Sequence, residues 1–264
     1  AGMAVVAVAL ALAVAALPPL PDAYARLKRN AAHRGELVQL CKELGMTGNA
    51  AEIGVWHGGF SRHNLLESAF TKYYMVDSWA YRANDTTSGN DKNPRNPRVS
   101  NLHYQTALDA VSEFRPPRGD RAVVMRRFAE SVAPEFPDEF FDFIYVDAGH
   151  VFASVVRDLE LWWPKLRVGG MLAGDDFADR HDSYAALHWH RTMKWGVKSA
   201  VHNFSLAHGA PFFLTYADHS HEPTEGQPRE GAEFRDPARG GRGALGVVRS
   251  HDFYPAWYLF KRRT

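Results

Sequence analysis

Between Arg34 and Leu44 the apolar residues Leu37, Leu40, Cys41 and Leu44 recur at helical spacing and Gly45 follows, which predicts a helix with a glycine stop. Asn49 to Val55 is an apolar run without that spacing and predicts a buried strand, with Ser61 the expected N-cap of the helix behind it. Further strands are predicted at Tyr73 to Trp79 ("YYMVDSW"), Ala122 to Phe128, Phe141 to Asp147 ("FDFIYVD") and Val168 to Asp175 ("VGGMLAGD"), with helices at Tyr104 to Phe114 and Val151 to Leu166 among them. Val197, Ala200, Val201 and Phe204 mark a helix from Trp195 to His208, and Pro211 to Tyr216 and Ala256 to Lys261 read as two last strands. Strand and helix alternating in this way predict an α/β fold built on a doubly wound, Rossmann-like parallel sheet.

Three stretches depart from the pattern. Met3 to Leu17 is an unbroken apolar run of fifteen residues, followed by Pro18 and Pro19, and Ala23-Tyr24-Ala25 resembles a small-x-small cleavage site. A signal peptide, a signal anchor and an organelle-targeting or disordered leader all fit, so residues 1–30 are set apart as a leader and 31–264 taken as the folded domain. Residues 80–101 are polar and turn-rich, a candidate lid or disordered loop, and the charged, Gly- and Pro-rich stretch 218–250 is expected to be a mobile surface loop.

The chain's 264 residues, 45% hydrophobic and 23% charged, suffice for one domain with a full core. A formal charge of +1 without a long basic block gives no reason to expect a nucleic-acid partner, and the oligomeric state is not legible. The one cysteine, Cys41, excludes an internal disulfide or a cysteine zinc cluster. The pairs His188/His190 and His219/His221 lack a suitably spaced third ligand and read as ordinary polar positions.

The first strand runs into "AEIGVWHGGFSRHNL", residues 51–65, a strand, a glycine turn and a helix start. A dinucleotide motif needs a glycine where Trp56 stands, because bare backbone must approach the pyrophosphate there. S-adenosylmethionine (SAM) carries adenosine without phosphates and makes no such demand. Asp77, 25 residues after Glu52 and at the end of the second strand, suits hydrogen bonds from ribose hydroxyls, as NAD and SAM would equally offer. Glu130 could meet an adenine edge, although Ala129-Glu130-Ser131 could equally be an ordinary helix start.

A more specific constellation is "YVDAGH" with "GDDF". Asp147 and His150 follow the fourth strand, while Asp175 and Asp176 follow the fifth, 175 − 147 = 28 residues on. Adjacent parallel strands lie roughly 4.8 Å apart, so three carboxylates converge at one lip of the sheet unless they merely cap a helix and a loop. Like charges so close call for a cation, and oxygen ligands suit magnesium. His150, an imidazole with a free pKa near roughly 6.5, is the candidate base for a substrate hydroxyl.

The order "AEIGVWHGGFSRHNL", "YYMVDSW", "FDFIYVDAGHVFASVVRDLELWWPKLRVGGMLAGDDF", "PFFLTY" and "AWYLFKR" resembles class I SAM-dependent methyltransferases, and within them the metal-dependent small-molecule O-methyltransferases of the macrocin O-methyltransferase type. The resemblance implies a seven-stranded sheet, mostly parallel, closed by a C-terminal antiparallel hairpin. It implies that Glu52, Gly54 and the turn from Trp56 through Gly58 to Gly59 hold the methionine and ribose portion of SAM and that Asp77 takes the ribose; Val55, Ser78, Glu130 and Ser131 complete the candidate cofactor-binding residues. Asp147, Asp175 and Asp176 would ligate Mg2+, with His150 and Asp147 catalytic and a small-molecule hydroxyl as acceptor. The Asp175-Asp176 pair and the missing Gly-x-Gly depart from the family's commonest forms, though both acids are oxygen ligands. Two other expectations fit the same residues: a related iron-dependent hydroxylase, and a membrane-tethered SAM-binding protein without turnover. As a signal anchor the leader would attach the chain to a membrane, and cytosolic SAM supply favours a domain facing the cytosol; a soluble cytoplasmic protein and one in a secretory lumen are the alternatives.

Overall fold

The computed structural model describes residues 22–80, 97–180, 182, 194–215 and 254–263. The strands β1 (Asn49–Ile53), β2 (Lys72–Asp77), β3 (Ala122–Arg126), β4 (Phe141–Val146), β5 (Leu166–Gly174), β6 (Phe212–Leu214) and β7 (Trp257–Phe260) form one sheet in the order β3-β2-β1-β4-β5-β7-β6. The first five are parallel, while β7 runs antiparallel to both β5 and β6. The Rossmann-like expectation holds, C-terminal hairpin included.

Helices α1 (Ala23–Arg26), α2 (Leu37–Glu43), α3 (Gly59–Glu67), α4 (Pro97–Ala110), α5 (Ala129–Val132), α6 (Phe152–Trp162) and α7 (Val197–His208) accompany the sheet. Successive strand residues point to opposite faces, so the core divides into two layers. Tyr73, Met75, Phe143, Tyr145, Met171 and Tyr258 pack on one face with Leu37, Leu40 and Leu65. Val76, Ile144, Val146, Leu172 and Leu259 pack on the other with Leu159, Trp162, Val201 and Phe204. Every residue of β4 is buried, which is why "FDFIYV" reads as a continuous run. Its one acid, Asp142, lies at the strand's start, where the Arg167 guanidinium donates at 2.5 Å and the Gly48 amide at 2.7 Å.

Several boundaries differ from the sequence expectation. Helix α3 begins at Gly59 with Gly58 as N-cap, which places Ser61 inside the helix. Helix α4 begins at Pro97, within the polar stretch 80–101, because proline is well suited to a first helical turn. Residues 22–30 pack onto the hairpin. The Tyr24 hydroxyl donates to the Pro211 carbonyl at 2.7 Å and accepts from the Phe260 amide at 3.3 Å, and the Asn30 amide donates to the Leu214 carbonyl at 2.6 Å. Residues 1–21, most of 80–101 (81–96), all of 218–250, and the pairs His188/His190 and His219/His221 lie outside the described residues. No helix among the described residues is long and apolar enough to cross a membrane.

Candidate active site

The chain reverses its direction of growth across the sheet between β1 and β4, the crevice where doubly wound sheets bind ligands. Ile53 pairs with Val146, so the residues leaving these two strands stand level with each other. Gly54 has φ +90°, and a Cβ there would collide with the Asp147 carbonyl; glycine is required on both counts. Gly58, at φ +76°, lets the turn lie against Ala107 of α4.

Asp77 fixes the turn. Its carboxylate accepts from the amides of Val55 at 2.9 Å, Trp56 at 3.0 Å and Trp79 at 2.7 Å. The Trp79 indole in turn donates to the Trp56 carbonyl at 2.7 Å. Trp56 (φ +53°), Trp79 (φ +40°) and Asp176 (φ +56°) are all left-handed without being glycine, and each follows the end of a strand at this rim. Such conformations cost of order 1–3 kcal/mol each and gather where a site holds them in place. Beneath Trp56 lie the buried imidazoles of His57 and His103, with ring centroids 4.2 Å apart, so α4 roofs the turn.

Glu52 sits below this surface. It is 2% exposed, and its carboxyl group accepts from Ser61 Oγ at 2.6 Å and Tyr73 Oη at 2.8 Å, with Asn64 donating to Tyr73 at 2.7 Å. Burial raises its pKa to about 8, against the hydrogen bonds from Ser61 and Tyr73 that favour the charged form. Glu52 therefore ties β1 to α3 and β2 from within the core. Ser78 is half-buried and accepts from the Ala80 amide at 3.3 Å. Glu130 and Ser131 are exposed in α5, where the Ser131 hydroxyl donates to the Phe128 carbonyl at 2.8 Å.

At the lip, Nε2 of His150 lies 3.4 Å from Asp147 and 3.0 Å from Asp176. One ligand atom from each of Asp147, His150 and Asp176 falls within 4.8 Å of the others, the spacing of a metal-ligand set. Asp175, expected with them, makes an ion pair with Arg34, whose guanidinium also lies 3.9 Å from Asp147.

Residues 51–177, just under half of the chain, match the family model of a methyltransferase domain. The match spans the strands and turns that carry the glycine turn, Asp77 and the acidic lip. No curated protein sequence matches the chain. Among solved structures, a Staphylococcus aureus protein assigned as a caffeoyl-CoA O-methyltransferase is 12% identical, with a TM-score of 0.50 over 85% of this chain and 80% of its own. A Nostoc punctiforme protein assigned as an O-methyltransferase is 12% identical, with a TM-score of 0.51 over 86% of this chain and 55% of its own. A Bacillus cereus O-methyltransferase in complex with S-adenosylhomocysteine is 15% identical, with a TM-score of 0.47 over 98% of this chain and 88% of its own. At these identities the likeness is one of fold.

Sequence reasoning misses two residues at the lip. Trp195, read there as a helix start, stacks on the His150 ring with centroids 4.7 Å apart and packs on Tyr254 at 5.4 Å. The neighbouring Gly196 amide donates to the His150 carbonyl at 2.9 Å, so this short segment holds both backbone and ring of the candidate base. Arg34, the other, enters from a single 3₁₀ turn, Arg34–Glu36, before α2. A basic residue opening a predicted helix gives no sign of an acidic partner 141 residues away.

Proposed function

We propose that this protein is a class I SAM-dependent O-methyltransferase that moves a methyl group to a hydroxyl of a small molecule with a divalent cation, magnesium, at the lip. The observation that carries this reading is the Asp147, His150 and Asp176 cluster, level with the Gly54 turn at the sheet's switch point. The family match supports methyl transfer, and the donor set supports the cation.

The residues fit both groups. The close Gly54 turn, the Trp56 backbone and the half-buried Asp77 form a rim suited to adenosine and methionine without a pyrophosphate, and three bonds to Asp77 leave the carboxylate with accepting capacity for a ribose hydroxyl. Asp147 and Asp176, with Asp175 alongside, offer the oxygen ligands that magnesium prefers. The Gly54 turn and Asp77 would hold SAM, whose chemistry is an electrophilic methyl group with S-adenosylhomocysteine as leaving group, and Asp147 and Asp176 would hold a magnesium ion, which would supply Lewis acidity toward the acceptor hydroxyl. His150 would take the hydroxyl proton, its ring held by Trp195, and the Asp147 and Asp176 carboxylates beside Nε2 would stabilise the imidazolium so formed.

The imidazole in the cluster also admits iron, so hydroxylase chemistry is the second reading. Labelled SAM incubated with a panel of hydroxyl acceptors, with magnesium or with chelator, tests the proposal. Transfer of label that needs magnesium supports it. Iron-dependent oxygenation without SAM consumption supports the hydroxylase, and unchanged SAM with every acceptor points to a binding protein.

A further inference from the structure

Arg34 reaches the lip from a firmly held segment. The Gly35 carbonyl contacts His63 Nε2 of α3 at 2.9 Å, Glu36 accepts from the Ala32 amide at 3.1 Å, and Arg29 pairs with Glu36 at 2.7 Å and with Glu43 of α2 at 3.0 Å. From this base the guanidinium extends over the Phe60 ring, 5.2 Å from its centroid, and Phe60 packs on Tyr145 of β4 at 4.5 Å. The charged end then meets Asp175 and stands 3.9 Å from Asp147, with the side chain only 34% exposed. Its guanidinium is thus held between an aromatic face and two carboxylates, at a conformational cost that an isolated surface arginine does not bear.

The charges explain the placement. Three carboxylates meet here, and the guanidinium neutralises one of them permanently. Asp175 is engaged by Arg34, Asp176 faces His150, and Asp147 stands between the two groups, so one carboxylate is shared by both. A divalent cation that recruited Asp175 would have to displace the arginine, and one that used Asp147 would sit close to a like charge.

We propose that Arg34 is the resident counter-ion of the lip: it competes with the divalent cation for Asp175 and Asp147, and so sets both how tightly and with which carboxylates that cation binds. The proposal rests on the metal-assisted reading above. It makes Arg34 a positioning residue that acts through the acids, and it links the segment before the methyltransferase domain to the occupancy of the lip.

Binding of Mn2+, followed by its electron paramagnetic resonance signal in the full chain without SAM, tests this. Arg34→Met keeps an unbranched side chain but removes the charge and the guanidinium over Phe60; Arg34→Gln does the same with a polar end. Either should bind Mn2+ about tenfold more tightly or better, by removal of the competing charge. Asp175→Asn should change affinity little in the wild-type background, where Arg34 already occupies that acid, and should reduce the gain in the Arg34→Met background to the part that comes through Asp147. Mn2+ binding by the wild type with no tightening in either Arg34 variant overturns the role of Arg34 and leaves the metal reading standing. Absence of Mn2+ binding in every variant overturns both, while binding of S-adenosylhomocysteine, measured separately, shows whether the fold is intact.

Discussion

Asp77 and Trp56 are joined by a hydrogen bond of 3.0 Å from the Trp56 amide to the Asp77 carboxylate, so the shape of the first turn depends on the side chain proposed to meet the ribose. Truncating Asp77 removes the acceptor for three backbone amides as well as the charge a ribose would meet. Asp77→Ala should weaken S-adenosylhomocysteine binding by about 1.5–3 kcal/mol and also lower the melting temperature. Calorimetry checks the affinity. Equal binding by wild type and variant would remove Asp77 from the site, and tighter binding of NAD than of S-adenosylhomocysteine would contradict the cofactor reading.

The buried acids predict a pH dependence of stability. Glu52 is raised by burial from its ordinary 4.5 to about 8, so between these values the native protein holds a proton that the unfolded chain has released. Its contribution to stability is complete below about pH 4.5, declines as the pH rises, and is lost above about 8. Asp158 of α6 behaves alike, raised by burial from 3.8 to about 7, with Arg157 opposing and Glu130 adding to the rise. Glu52→Gln keeps a carbonyl acceptor for Ser61 and Tyr73 and cannot ionise. Relative to wild type it should gain stability between pH 5 and 8 by an amount on the order of a few kcal/mol. Denaturant midpoints that stay parallel across that range would show Glu52 to be ionised throughout.

Tyr24 tests whether the segment before residue 30 is part of the fold. Its hydroxyl bridges the Pro211 carbonyl and the Phe260 amide, and the Arg262 guanidinium covers its ring at 4.1 Å. Tyr24→Phe keeps the ring and loses the hydrogen bonds, which should cost about 1 kcal/mol, or roughly 2–4 °C in melting temperature. Removal of the chain through Ala25 should cost more, since buried Ala23 and the stacked ring go too. A truncated protein that melts with the full chain would make residues 22–25 dispensable.

What the sequence makes legible follows from range. Helical and strand periods are local, so the alternation from Leu37 to Phe260 gives the sheet and its two apolar faces. The approach of Asp147 to Asp176 is also legible, because neighbouring parallel strands end at one lip whatever their side chains are. The contacts of Tyr24 with Phe260, 236 residues away, and of Arg34 with Asp175, 141 away, leave no periodic trace. Turn geometry fails for another reason. Ser61 is a good N-cap by type, yet the left-handed Gly58 ends the turn earlier and frees the Ser61 hydroxyl for Glu52. The start of α4 hides in a polar stretch, with Pro97 its one local signal.

Asp147 and His150 together separate the proposed chemistry from a merely structural lip. Asp147 is the shared carboxylate, 3.4 Å from His150 on one side and 3.9 Å from Arg34 on the other, so Asp147→Asn removes the charge of a proposed metal ligand and disturbs the balance of both neighbours. Excess chelator should abolish methyl transfer while sparing most of the S-adenosylhomocysteine affinity, because the proposed mechanism assigns the acceptor oxygen to the lip and the cofactor to the turn at Gly54 and Asp77. Asp147→Asn should do the same. His150→Ala removes the proposed proton acceptor and one of the three clustered ligand atoms but leaves both carboxylates, so the turnover rate should fall by roughly a hundredfold or more while Mn2+, held by the carboxylates, and S-adenosylhomocysteine stay bound. If chelator leaves the rate untouched, the cation has no part in the reaction; if His150→Ala turns over at the wild-type rate, the proton leaves by another route and the imidazole serves only to pack against Trp195.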